Sequence, residues 1–377
     1  MQINLPLELL GGLDPNDFMR NYWQKKPLLI RGAVALQALS SLPDRHTLFE
    51  LASREEVQSR LIQLKKSKWQ LSHGPHHTLP ALKTPDWTLL VQGVDLQDEA
   101  THALLQQFRF VPDARLDDAM FSFAAKGGGV GPHFDSYDVF LLQTSGRRRW
   151  RIGAQKNLKL VEGAPLKILA DFKPSKEYVL EAGDMLYLPP RYAHEGVAIA
   201  GDDCITCSIG FRAPKEAELG RELLERLAED VLDRMDESVL YTDKNQAATE
   251  IPALIPDALH AFAHKALQAA LGNKLDLQIH IGEYLTEPKP EVWFEANKKK
   301  ILGSKIKSIK LDAATRMMFD DKHIFINGES FAASGADARL MRQLANERKL
   351  AATDLAKASI GAKELLTDWL KAGWCHG

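Results

Sequence analysis

The clearest change in the period of hydrophobic and polar positions falls near residue 213. Up to about residue 213, apolar residues come in short runs cut by turn signals. Leu28-Leu29-Ile30 ends at Gly32, Trp87 to Val94 carries no charge, and in Arg115 to Ala124 Phe121 and Phe123 alternate with Met120, Ser122 and Ala124. From Leu158 to Phe211 the runs Tyr178-Val179-Leu180 and Asp184 to Leu188, and segments around Val197 and Ile205, are separated by Ala182-Gly183, Pro189-Pro190 and Gly201-Asp202. This pattern predicts a mainly β domain, a small barrel of the double-stranded β-helix kind related to jelly rolls and cupins. One helix precedes it: Asp14 suits an N-cap, Pro15 the first turn, and Phe18, Tyr22 and Trp23 recur at helical spacing until Lys26-Pro27.

After Ala213-Pro214 the period becomes helical. Leu219, Leu223, Leu224, Leu227, Val231 and Leu232 mark one helix, a second runs from Asp257 to Leu271, and a third can reach Glu287. Pro288-Lys289-Pro290 reads as a linker. Beyond it come short β segments, including His323 to Ile326 turning at Asn327-Gly328, and helices around 337–346 and 362–371, a winged-helix-like α+β pattern. The expected domains are therefore residues 1–213, a helical segment 214–287 and residues 288–377.

Composition narrows the class. With 377 residues, 45% hydrophobic and 26% charged, the chain reads as an ordinary soluble protein of two or three domains. A net charge of −2 argues against a general polyanion binder. Lys298, Lys299, Lys300, Lys305, Lys307 and Lys310 form a local basic patch, but no aromatic residues interleave them, so a solvated face on a protein-docking domain is expected rather than direct nucleic-acid binding. The N-terminus lacks a signal-peptide pattern and no apolar run reaches membrane length, so no membrane association is expected. Three cysteines cannot build a disulfide framework and fit a reducing cytoplasm. Cys204 and Cys207, three apart on a strand, face opposite sides and read as buried free thiols. His73, His76 and His77 flank a Gly-Pro turn without matching carboxylates, so no second metal site is read there.

The chemistry concentrates in Gly127-Gly128-Gly129-Val130-Gly131-Pro132-His133-Phe134-Asp135. The run leads into a strand pattern rather than a helix, so a tight bend near a reactive centre fits better than a phosphate cradle. His133 and Asp135, two apart, share one face if the segment is a strand. His194, after the Pro189-Pro190 turn, is the best third ligand. Two histidines and one carboxylate form the facial triad of non-haem Fe(II) oxygenases, with open coordination positions. In Gly146-Arg147-Arg148-Arg149-Trp150-Arg151, alternation separates Arg148 and Trp150 from the other three arginines, whose default is a solvated face. Ser122 either donates to a bound carboxylate or is a polar residue on a pleated face. Tyr137 is either core or a residue reaching the substrate.

Gly-Pro-His-Phe-Asp-Ser-Tyr-Asp-Val-Phe, Gly-Arg-Arg-Arg-Trp-Arg and Ser208-Ile209-Gly210-Phe211-Arg212-Ala213-Pro214 resemble the bacterial ribosomal oxygenases, in the JmjC branch of the 2-oxoglutarate oxygenases. The likeness is dense from about Asp17 to Pro214. It implies hydroxylation of an arginine in a large-subunit ribosomal protein, one Fe(II) per subunit held by His133, Asp135 and His194, and 2-oxoglutarate and O2 as cosubstrates. It implies that Arg148, with Ser122, anchors the far carboxylate of 2-oxoglutarate, and that Asp118, Met120, Tyr137 and Ser208 line the substrate pocket. It further implies a homodimer formed through the helical segment. Two other readings stay open: the same chemistry on another residue, as in a histidyl hydroxylase or methyl-lysine demethylase, and a non-enzymatic JmjC-like regulatory protein.

Overall fold

The computed structural model describes residues 2–199, 203–271, 274–296 and 308–377, which fall into two compact units, Met1–Ala213 and Pro214–Gly377. The expected turn at Gly201-Asp202 and all of the lysine patch except Lys310 lie outside the described residues.

In the first unit, Asp14 caps helix α1 (Pro15–Asn21) by accepting from the Asp17 amide at 2.8 Å, as the sequence predicts. Strands β1 (Leu28–Ile30), β2 (Ser59–Lys65), β3 (Lys68–His73), β4 (Trp87–Val91), β5 (Leu116–Ala124), β6 (Asp138–Ser145), β7 (Arg148–Gly153), β8 (Lys176–Leu180), β9 (Met185–Leu188), β10 (Ala193–Ala198) and β11 (Cys204–Phe211) form two antiparallel sheets, with helices α2 (Leu36–Leu39), α3 (Arg45–Ala52) and α4 (Glu99–Gln106) between them in the chain. The large sheet has the order β1-β9-β6-β11-β5-β4-β2-β3 and the small one β10-β7-β8. The β4 run stops at Val91, short of the expected Val94: Gly93 turns the chain at a φ of 60° into a 3-10 turn over Val94–Leu96.

Alternation sorts the large sheet into two faces. Phe121, Phe123, Phe140, Leu142, Ile205, Cys207 and Ile209 bury into the main core with Phe18, Leu48, Leu104 and Leu105 of the helices. On the opposite face Val139, Leu141, Leu186 and Leu188 meet Trp150, Ile152 and Leu180 of the small sheet. The two sheets thus enclose an interior that is apolar at one end. Cys207 belongs to the main core, whereas Cys204 packs with Ala124 and Ala198, so these free thiols do face opposite sides.

The second unit holds both the expected helical segment and the winged-helix-like stretch. Helices α5 (Glu216–Glu229), α6 (Val231–Arg234), α7 (Asp257–Ala270) and α8 (Lys274–Thr286) precede β12 (Ser308–Leu311), β13 (Met317–Phe319), β14 (His323–Ile326), β15 (Glu329–Ala332), α9 (Gly335–Glu347), β16 (Lys349–Ala351), α10 (Ala352–Leu355), α11 (Ile360–Ala372) and β17 (Cys375–His376). Asn327 and Gly328 turn β14 into β15 with φ values of 49° and 88°, the left-handed pair that the Asn-Gly signal predicts. α8 lies so close to this hairpin that a β-carbon on Gly282 would come within 2.3 Å of the Phe325 ring.

Candidate active site

His133, Asp135 and His194 each offer a ligand atom, all within 4.8 Å of one another. They meet differently from the simple alternation expected of a strand. The H-x-D segment is a loop before β6, and only His133 is paired there, in an isolated antiparallel bridge to His194. The two residues exchange both backbone hydrogen bonds, His133 N to His194 O at 2.9 Å and His194 N to His133 O at 2.8 Å. Residues directly opposite in such a bridge point to the same side, which brings the ring centroids to 4.2 Å. Asp135 is set separately: its carbonyl accepts from the Arg191 amide at 2.7 Å, and its Oδ2 lies 3.5 Å from His194 Nε2 and 4.0 Å from His133 Nε2.

The donor set fits a divalent metal. Each imidazole uses Nδ1 for a backbone carbonyl, His133 to Gly131 and His194 to Tyr192, both at 2.9 Å. If each Nδ1 carries the proton it donates, both Nε2 lone pairs face the shared centre. Burial, followed by the neighbouring His133, pulls the His194 pKa down to about 4, keeping it neutral as a ligand must be.

The glycines bring backbones together around this bridge. A β-carbon on Gly129 would lie 2.4 Å from the Gly196 carbonyl oxygen, and one on Gly196 would strike the Trp150 ring at 2.7 Å. Gly131 has a φ of 75°, and a β-carbon there would meet Trp69 and Ile168 at 2.8 Å.

On β7, which pairs with the His194 strand β10, Arg148 is 5% exposed. Its Nη1 donates to Ser122 Oγ at 3.0 Å, while Nε and Nη2 are buried without a hydrogen-bond partner. A guanidinium with unmet buried donors suits a planar carboxylate. Arg149 and Arg151 are only half-buried and Arg147 is exposed; Arg151 pairs with Glu195, Nε to Oε2 at 2.8 Å.

The expected substrate residues also gather. Met120 and Ser208 stand directly opposite each other across β5 and β11. Asp118 Oδ2 accepts from the Gly93 amide at 3.2 Å. A β-carbon on Gly210 would come within 3.7 Å of Asp118 Oδ1 and 3.9 Å of Tyr137 Cε2, so both side chains converge on that glycine. Burial first, then the charges of Asp135 and Asp118, raise the Tyr137 pKa and keep its phenol protonated. Sequence reasoning missed Arg60, whose Nη2 lies 3.9 Å from Met120 Sδ; its face is set by long-range strand pairing, which no local signal reports. His76, expected in a surface turn, is instead buried, and the only cluster of metal-ligating type among the described residues is the one above.

Comparison with known proteins adds to this geometry. Residues 103–219 match the JmjC domain family, and residues 273–376 match the ROXA-like winged helix family. The ribosomal protein uL16 3-hydroxylase of Escherichia coli (strain K12) is 36% identical over 280 residues, 73% of this chain and 72% of that one. An X-ray structure of E. coli YcfD superposes with a TM-score of 0.83 at 29% identity, covering 97% of this chain and 98% of the other. A structure of YcfD, described as a ribosomal oxygenase, in complex with cobalt and 2-oxoglutarate superposes with a TM-score of 0.79 at 28% identity over the same shares.

Proposed function

Because the chain belongs to the JmjC-type ribosomal oxygenases of the 2-oxoglutarate- and Fe(II)-dependent superfamily, we propose that it hydroxylates an arginine side chain of a large-subunit ribosomal protein, with uL16 the first candidate. The observation that carries the arginine reading is the convergence of Asp118 and Tyr137 on Gly210. Bound by His133, Asp135 and His194, a ferrous ion would supply the activation of O2 that couples decarboxylation of 2-oxoglutarate to substrate oxidation. Net, one oxygen atom ends in succinate, the other in a C–H bond of the substrate, and CO2 leaves.

The chain's own residues do the rest. Arg148, steadied by Ser122, directs Nε and Nη2 at the far carboxylate of the keto acid. That contact fixes which end faces the histidines. The Asp118 carboxylate accepts N–H bonds from the substrate guanidinium, and the Tyr137 hydroxyl oxygen accepts another. With its head group held at the rim, the arginine presents a methylene carbon, not a nitrogen, to the reactive centre. Met120 and Ser208 shape the channel for that stem.

A homodimer formed through residues 214–287 belongs to the same reading. Helix α7 has no buried residue and exposes Leu259 and Leu267, with Leu254 and Ile255 exposed just before it, an apolar surface that a second copy can cover. Sedimentation velocity then gives twice the chain mass. The reading places the enzyme with ribosomes in the cytoplasm, touching protein rather than nucleic acid; among the described residues no helix is long and apolar enough to cross a membrane. The deciding experiment incubates the enzyme with Fe(II), 2-oxoglutarate and large ribosomal subunits or recombinant uL16, followed by mass spectrometry. An arginine-containing peptide gains one oxygen; a set of subunit proteins unchanged in mass overturns the reading.

A further inference from the structure

Arg60 is a second arginine on the inner face of the barrel. It stands opposite Leu90, which in turn stands opposite Ser122, so it shares the face of Ser122 and Met120, not the core face of Leu61, Leu89 and Phe121. Its Nη2 meets only the Met120 thioether, at 3.9 Å, and its Nε is shut off from solvent with no hydrogen-bond partner. Thioether sulfur is a weak acceptor and leaves such a fork of donors largely unused. Its charge reaches Tyr137, where it opposes the effect of Asp135 and Asp118.

We propose that Arg60 binds the substrate chain itself, donating to a main-chain carbonyl oxygen beside the target residue. The inference rests on the function proposed above and deepens it. Three alternatives fit less well. The cosubstrate carboxylate has Arg148 and Ser122, and the Leu90 position separates Arg60 from them along the sheet. The target guanidinium carries a charge like that of Arg60 and is repelled. An acidic side chain of the substrate would meet Asp117, Asp118 and Asp135, whose charges all act on the same Tyr137. A neutral carbonyl dipole escapes both repulsions and offers Nη2 a stronger acceptor than the Met120 thioether.

The test uses full-length, iron-loaded enzyme and the proteins of dissociated large subunits as probe, so that whichever protein wild type modifies becomes the assay substrate. Arg60→Met raises KM for that protein about 10–100-fold, the loss expected for one charge-assisted hydrogen bond. The ratio of the effect on KM for the protein to that on KM for 2-oxoglutarate carries the test: only the former rises, and Arg60→Lys falls between. Unchanged KM for the protein, or a rise in KM for 2-oxoglutarate instead, overturns the assignment. In a substrate peptide, alanine in place of acidic residues flanking the target must leave the Arg60 effect intact; its disappearance moves the contact to a side chain and overturns the main-chain assignment. If wild type modifies no subunit protein, the substrate reading itself has failed, an outcome distinct from wild type and Arg60→Met modifying one equally well.

Discussion

Two charges buried in the same barrel unit are treated in opposite ways. Asp138 is fully buried and both oxygens are engaged: Tyr187 Oη donates at 2.6 Å to one, and Gln24 Nε2 at 3.1 Å and Arg115 Nη2 at 3.0 Å to the other. Arg148, equally cut off from water, has Ser122 and two idle donors. Folding tolerates a buried charge when its hydrogen bonds are complete, and each unmet donor in a low-dielectric interior carries a penalty. A closed set of partners marks scaffold. The open set at Arg148 is where the cosubstrate carboxylate is proposed to bind.

That contrast can be broken by experiment. His133→Ala or His194→Ala removes a metal ligand and reduces succinate formation to background, with the fold intact by circular dichroism; substantial turnover in either variant removes the metal cluster from the open side of the comparison. Arg148→Ala also abolishes turnover at ordinary 2-oxoglutarate and is partly restored at high concentration, whereas full activity would move the anchor elsewhere. Asp138→Ala should act on stability, since it takes a shared buried acceptor from Arg115, Gln24 and Tyr187: a loss of about 3–5 kcal/mol and a fall in Tm of roughly 10 °C, read by thermal unfolding. Adding 2-oxoglutarate at about a hundred times its wild-type Kd, with a redox-inert divalent ion, should stabilise wild type by about 2.7 kcal/mol over the ion alone and Arg148→Met far less. Smallest of all, Arg148→Met without ligand should change stability by no more than about 1 kcal/mol, or raise it, because it removes donors with no acceptor. Equal destabilisation by Arg148→Met and Asp138→Ala would erase the distinction.

Local chemistry made much of this legible in advance. Asp14-Pro15 and Asn327-Gly328 announce their cap and turn through side-chain and backbone preferences that need no partner. His133, Asp135 and His194 stand out as a facial-triad set, whereas the roles of Arg148 and Ser122 come from the resemblance to the ribosomal oxygenases. What stayed hidden depends on strand pairing. The β2–β3 hairpin turns at Lys66 and Ser67 with φ values of 48° and 62°, and neither residue is the glycine or asparagine that usually signals such a turn. With that hairpin unseen, Arg60 had no face. Asp138 carries no local signal of its burial, since its partners Gln24 and Tyr187 are remote in the chain. His133 and Asp135 do meet His194, but not by alternation within a strand: the bridge to His194 sets His133, and the Arg191 amide holds Asp135.

That bridge has a consequence for which element the enzyme carries. With the two imidazoles carried on directly opposed, mutually hydrogen-bonded peptide groups and each Nδ1 tied to a carbonyl, a cation arriving from solution finds two donors already aligned. By the Irving–Williams order cobalt and nickel would bind such a donor set more tightly than iron, and manganese less tightly. Abundance inside the cell, more than any preference of the protein, would then decide how many copies are competent at a given moment.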